Sequence, residues 1–364
     1  MLVRSLQLCA AASLTAATNL FVSDYSGDIT TLSLTEHGGH YSLTKTSANP
    51  GCAPNPSWLT LDPNHATLYC LDEGLEVTNG SLTSFTIGDD GSLTKVHREE
   101  TISGPVSGVI YGNPAEKRSI ALAHYSGSAL SSWDLDVNRT GGFAFEQDIL
   151  FNLTKPGPNA ERQDAPHEHE AVLDPTGQFL VVPDLGADLV RIFSFDAKTD
   201  KLMAEKPLAV LPGSGPRHVA FYQPYGVVGK KSTSFMFLVS ELANTVTSFA
   251  VSPDNRFLIV SNRNNTSFHI PNPSTHNTTA IPSDSLSTFA IDKDGSLKHI
   301  QLWPAGGMFP RHFSLNRWGD LIAVGLQYDK SVVVFERDVA LGTVGKPVAR
   351  WVGGGNVTCV VWEE

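Results

Sequence analysis

The chain is poor in charge: Asp, Glu, Lys and Arg make up 17% of its 364 residues against 41% hydrophobic. That balance supports a large buried core and excludes extended disorder. Positive charge is scarcer still. Lys and Arg number 26 against 37 Asp and Glu, for a net charge of −11 with no basic cluster, which argues against nucleic acid and anionic membrane surfaces as partners. No segment reads as an amphipathic helix. A Gly-x-Ser-x-Gly elbow is absent, so a serine hydrolase of that type is unsupported. The glycine runs 213–215 and 353–355 are followed by no helix and read as tight loops, not as phosphate cradles. Cysteine is rare: four residues, of which Cys9 lies in the leader described next, so Cys52, Cys70 and Cys359 allow one disulfide at most. Cys70 and Cys359 fall inside apolar strand patterns and read as buried thiols.

What is present begins with Met1-Leu2-Val3-Arg4 and an apolar, alanine-rich run to Ala17. A short positive region, a short apolar region and small residues match a secretory signal peptide over 1–17, and the run is too short to span a bilayer. Seven Asn-x-Ser/Thr acceptors, at Asn79, Asn138, Asn152, Asn264, Asn265, Asn277 and Asn356, agree with a secreted glycoprotein. The expectation is a leader followed by one domain over 18–364.

That domain repeats one plan of an apolar strand, a turn built on Asp-Pro or a relative of it, and a second apolar strand. Trp58 to Pro63 with Thr67 to Leu71, Ala171 to Pro175 with Gln178 to Val182, and Phe313 to Asn316 with Leu321 to Val324 are examples. A second unit recurs as Gly80 to Phe85 with Asp90-Gly91, and Asp284 to Phe289 with Asp294-Gly295, where Asp-Gly suits a hairpin turn. The turn anchors Pro63, Pro114, Pro175, Pro224, Pro253 and Arg317 are spaced by 51, 61, 49, 29 and 64 residues. Four-stranded repeats near this period predict an all-β propeller. Six anchors give six blades. Leu20 to Leu34 joined to Thr358 to Trp362 supplies a seventh that closes the ring and removes the open sheet edges. The spacing of 29 predicts one truncated blade near 245–253.

In such a blade the first residues of the first strand and the last of the second lie at the same mouth of the central channel. The first positions carry Pro166-His167-Glu168-His169, Gly215-Pro216-Arg217-His218 and Pro310-Arg311-His312. The last carry Asp72-Glu73, His124-Tyr125, Asp184, Ser240-Glu241 and Ser261-Asn262-Arg263. Bases, acids and cations thus gather where proton transfer and charge stabilisation are both available. His167 and His169 make a metal pair on spacing alone, but no third or fourth ligand accompanies them, so no metal is assigned.

Ala165-Pro166-His167-Glu168-His169, Val182 to Asp188, Gly215-Pro216-Arg217-His218, Ser240-Glu241-Leu242 and Ser261-Asn262-Arg263-Asn264 resemble the seven-bladed β-propeller lactonase family, as a fungal secreted member. That family holds 6-phosphogluconolactonase and the carboxy-cis,cis-muconate lactonising enzyme. The resemblance implies His167 and Glu241 as the proton-handling catalytic pair and Arg217 and Arg263 as binders of substrate carboxylates, with His169, Asp184 and Arg311 as additional candidates. It implies a cofactor-free enzyme on a small anionic substrate. Ring closure of the muconate type is the leading expectation, hydrolysis of a 6-phosphogluconolactone-type ring the alternative, and a non-catalytic secreted propeller that binds a partner the reading from another class.

Overall fold

The structure is a computed structural model, and it describes residues 17–113, 117–135, 141–224, 234–243, 246–274 and 276–364. Most of the leader, the anchor Pro114 and the acceptor Asn138 lie outside the described residues, and so does Thr245 in the short spacing. Strand Ala17–Asp24 begins at the last residue assigned to the leader.

Apart from one 3-10 turn at Pro63–His65, the regular structure of the described residues is all strand. The β-branched and aromatic runs bounded by Gly, Asp and Asn turns have no helical period to offer, and they pair with their neighbours in sequence. The first sheet joins Ala17–Asp24, Ile29–His37 and His40–Asn49 to Val357–Trp362 from the far end of the chain. Leu20 stands opposite Trp362 and Val22 opposite Val360 in antiparallel register. The second sheet is Pro56–Asp62, Thr67–Asp72, Gly80–Ile87 and Leu93–Thr101. The third is Pro105–Asn113, Lys117–His124, Ala129–Asp134 and Ala144–Leu150. In the fourth, Val172–Leu173, Phe179–Asp184 and Leu189–Phe195 carry two short strands on the outer edge. The sixth is Val246–Val251, Phe257–Asn262, Ser285–Ile291 and Leu297–Pro304. The seventh is Pro310–Leu315, Leu321–Leu326, Ser331–Arg337 and Val344–Val352.

The fifth sheet has only Pro216–Tyr222 and Phe235–Ser240. Seven blades with one truncated near 245–253 were expected; the described residues form six full blades, a two-stranded fifth sheet, and a small hairpin of Phe268–Ile270 with Ile281–Ser283, and the shortened sheet is the one before Val246–Val251. The reason lies in one strand that two sheets could claim. Val246–Val251 follows the fifth sheet, yet a tight turn ties it to Phe257–Asn262: Ser252 N–H donates to the Phe257 carbonyl at 2.8 Å, and Asn255 adopts φ +55 within the turn. The strand therefore starts the sixth sheet and leaves the fifth without its outer pair.

The innermost strands of neighbouring sheets contact one another around the axis, with Pro310–Leu315 beside Val357–Trp362 and the latter beside Pro56–Asp62. Between sheets lies the core: Leu20, Val22, Leu32, Val332, Val334 and Val360 are buried between the first and seventh. Phe21, Ile29, Leu59, Leu68 and Phe85 are buried between the first and second. There Cys52 and Cys70 form a disulfide, so the reading of Cys70 as a free thiol is corrected; among the described residues Cys359 is the free cysteine, and it is buried. The cluster between the fourth and fifth sheets is smaller, with Val181, Val190 and Val219 buried and Met236 and Leu238 partly so.

Candidate active site

Each innermost strand begins with the same irregularity. The pairing register slips by one residue between Pro56 and Trp58, Pro105 and Ser107, Pro216 and His218, and Pro310 and His312. A slip also falls where Val357 and Cys359 face Asp24 and Ser23. Such a bulge leaves one residue unpaired and re-aims its side chain. Those residues are Ser57, Val106, Arg217, Arg311 and Thr358, and all five line one cavity of about 400 Å³ on the axis. In the fourth sheet an isolated bridge pairs Glu168 with Asp184, the register has slipped by one when Val172 meets Val181, and His169 takes the same inward place.

The residue following the second strand completes the ring. Tyr25, Glu73, Tyr125, Glu241 and Arg263 follow Asp24, Asp72, His124, Ser240 and Asn262, and all five line the cavity. These two positions, repeated around the axis, supply most of the lining, and Arg162 joins them from a loop.

Glu241 is the hub. It accepts from Arg162 Nη2 at 2.8 Å and pairs with Arg217; Arg162 also donates to the Tyr125 hydroxyl at 3.2 Å. Burial alone would raise the Glu241 carboxyl, but Arg217, with Arg162 behind it, holds it well below the usual carboxylate range. Arg311 pairs with Glu73 at 3.3 Å, and the Tyr25 hydroxyl donates to the same carboxylate oxygen at 2.5 Å. Burial pushes Tyr25 up to about 12. Four guanidinium groups thus face two carboxylates.

His169 presents an imidazole whose Nδ1 is buried without a hydrogen-bond partner among the described residues. Burial first and Arg217 second keep it well below its ordinary value, so it is neutral at pH 7. His218, buried beside it with ring centroids 5.3 Å apart, is depressed for the same two reasons.

Of the residues singled out from the sequence, Arg217, Glu241, Arg263, His169 and Arg311 meet in this cavity. His167 does not line it. Its ring stacks on Tyr125 at 4.3 Å, Nδ1 meets the Tyr125 carbonyl at 2.8 Å, and Nε2 meets Asp164 at 3.1 Å. Alternation failed as a guide because residues 167–169 hold a single bridge and no regular strand. Asp184 is fully buried away from the cavity. It accepts the N–H groups of His167 and Ala187, both at 2.9 Å, and two bonds from Arg191. Asp72 accepts the Asn55 N–H in the same manner, so an aspartate here fastens the loop that carries the site. Arg162 went unnoticed because it sits in a loop with no strand pattern to mark it. Tyr25 could have been found by extending the strand-end rule to the first blade.

Fold and site together define a β-propeller with a polar, arginine-rich cavity at one end of its channel. The family described as "Lactonase, 7-bladed beta-propeller" matches residues 13–252 and 249–362, and the chain belongs to that family. The two matched stretches overlap at 249–252, at the end of Val246–Val251, the strand at which the fifth sheet is cut short. Among curated relatives, the "Probable 6-phosphogluconolactonase" of Arthroderma benhamiae is 29% identical, over 94% of this chain and 88% of the relative. The "6-phosphogluconolactonase" of Formosa agariphila is 27% identical, over 80% and 84%. The fold is shared with the periplasmic gluconolactonase of Pseudomonas aeruginosa at TM-score 0.73 and 23% identity, covering 95% of this chain and 99% of that one.

Proposed function

We propose that this protein opens the ring of a small anionic lactone by hydrolysis, with 6-phosphogluconolactone as the substrate class that the names of its curated relatives supply. The observation that carries the reading is the cavity itself: a neutral His169 beside Arg217, among four guanidinium groups and two carboxylates.

In this reading water adds to the ring carbonyl and gives up its proton to the neutral His169 imidazole. Arg217, fixed by Glu241, stabilises the negative charge that grows on the carbonyl oxygen. The ring C–O bond then breaks, and the proton passes from the imidazolium to the departing alkoxide, giving the hydroxy acid. Arg263 and Arg311 hold the anionic end of the substrate. Glu241 is too acidic to take the proton; its role is to fix Arg217 and Arg162. The relatives reported above are named for lactone opening and not for ring closure on a muconate, so hydrolysis is the reading put forward. The Cys52–Cys70 disulfide and the exposed acceptors Asn79, Asn152, Asn264 and Asn277 support action outside the cell.

The test is hydrolysis of 6-phosphoglucono-δ-lactone and glucono-δ-lactone by the full chain, measured above the spontaneous rate at neutral pH. Faster opening of the charged lactone is expected, and no acceleration of either would refute the proposal.

A further inference from the structure

Three of the four cavity arginines are held by carboxylates, Arg162 and Arg217 by Glu241 and Arg311 by Glu73. Arg263 is held differently. It makes no ion pair among the described residues, and its Nε is buried without a hydrogen-bond partner. Its guanidinium carbon instead lies 4.5 Å from the centroid of the Phe309 ring, which is stacked in turn on Tyr328 at 4.0 Å with 21° between the planes.

Phe309 occupies a backbone position that other blades give to glycine. The residue before the first strand's proline is Gly104 at φ +65, Gly215 at φ +61 and Phe309 at φ +63. In all three its carbonyl accepts the N–H of the residue after the second strand: Tyr125 and Glu241 at 2.7 Å, and Gln327 at 2.9 Å. A bulky side chain in the left-handed region is strained, and such strain persists only where the surroundings over-determine it. Here the Phe309 N–H is fixed by Asp284 Oδ2 at 2.8 Å. The ring has a use that glycine could not serve. A carboxylate would anchor Arg263 and also neutralise it; an aromatic face anchors the guanidinium by cation–π attraction and leaves its charge for an incoming anion.

We infer that Phe309 is a positioning residue, whose ring fixes Arg263 as the uncompensated cation of the cavity and so sets affinity for the anionic end of the ligand. The inference rests on the reading of this cavity as a site for an anionic lactone.

The full chain is titrated calorimetrically with 6-phosphogluconate, the acid that the proposed reaction would release, and its lactone kinetics are measured in parallel. Phe309→Leu keeps the backbone demand and removes the ring, and it is expected to weaken binding about tenfold, in KM and not in kcat. Phe309→Tyr, which keeps the ring, is expected to stay within about twofold of the wild type on the same ground. Adding Phe309→Leu to Arg263→Ala should cost nothing beyond Arg263→Ala alone, because the two act through one group. Phe309→Met takes the place of the leucine variant if that variant does not fold. Wild-type affinity in the leucine variant, an equal loss in the tyrosine variant, or full additivity with Arg263→Ala would each overturn the inference. A chain that binds 6-phosphogluconate in the expected pattern but hydrolyses no lactone refutes the lactonase reading and upholds the role of Phe309. A wild-type chain that binds no 6-phosphogluconate overturns the inference whether or not it opens an uncharged lactone.

Discussion

The second and fifth blades each place a bulge residue and a strand-end glutamate in the cavity, from different amounts of structure. The second has four strands and a disulfide, and it offers Ser57 from its bulge and Glu73 from the end of its second strand. The fifth has two strands and offers Arg217 and Glu241 from the same two places. An inner hairpin is thus enough to present the chemistry, because the bulge and the strand end both belong to it. The outer strands add buried area and hold the hairpin against its neighbours. The thin blade supplies the Arg217–Glu241 pair from a hairpin alone, while the thick one adds two outer strands and a disulfide to its pair.

That contrast can be broken most directly at the bulge. Arg217→Ala is expected to lower kcat/KM for the charged lactone by about 10³-fold, the loss of roughly 4 kcal/mol of charge stabilisation. Ser57→Ala, at the same position in the second blade, should change it by less than about threefold, since its hydroxyl serves the Pro105 carbonyl at 2.9 Å. Equal losses in a steady-state assay would show that the two blades share the chemistry. Replacing both Cys52 and Cys70 by Ala should cost about 3 kcal/mol in denaturant unfolding, as for closing a loop of this length, while turnover per folded molecule is unchanged. Lost turnover in the folded variant would place chemistry in the second blade as well.

Gly215→Ala probes the thin blade itself. A Cβ there would lie 2.5 Å from Leu242 Cγ at φ +61. The variant should lose about 1–2 kcal/mol of stability, with activity reduced because the Gly215 carbonyl holds the Glu241 N–H. A pH-dependent effect is expected at Glu170, which burial pushes up to about 8 even though the Val219 N–H at 2.6 Å works the other way. The folded chain keeps this proton while the unfolded chain has released it, so stability is lost as pH rises from the ordinary carboxylate range through about 8. Glu170→Gln removes that dependence, and its melting temperature should gain on the wild type between pH 5 and pH 9. A gain that does not change with pH would show that Glu170 is ionised when folded.

The propeller was legible because alternating apolar strands and turn residues recur along the chain and need no distant partner to be recognised. The short blade was legible as a spacing of 29 residues, yet which sheet would lose its outer strands was not. That outcome depends on Val246–Val251 having two edges and on the Ser252 to Asn255 turn choosing between them. Arg217, Glu241, Arg263 and Arg311 were found by motif and position. His169 and not His167 lines the cavity, and Asp184 fastens a loop, because one bridge and one register slip decide which way these side chains face.

By itself the sequence determined the all-β repeat, the inner hairpins and the residue types placed at their ends, since periodicity and turn chemistry are local. Only the tertiary structure decided which of those residues share a cavity, that Cys52 pairs with Cys70, and that Arg263 is held by a ring and not by a carboxylate. Those outcomes depend on bulges and on contacts between blades, and no local pattern encodes either.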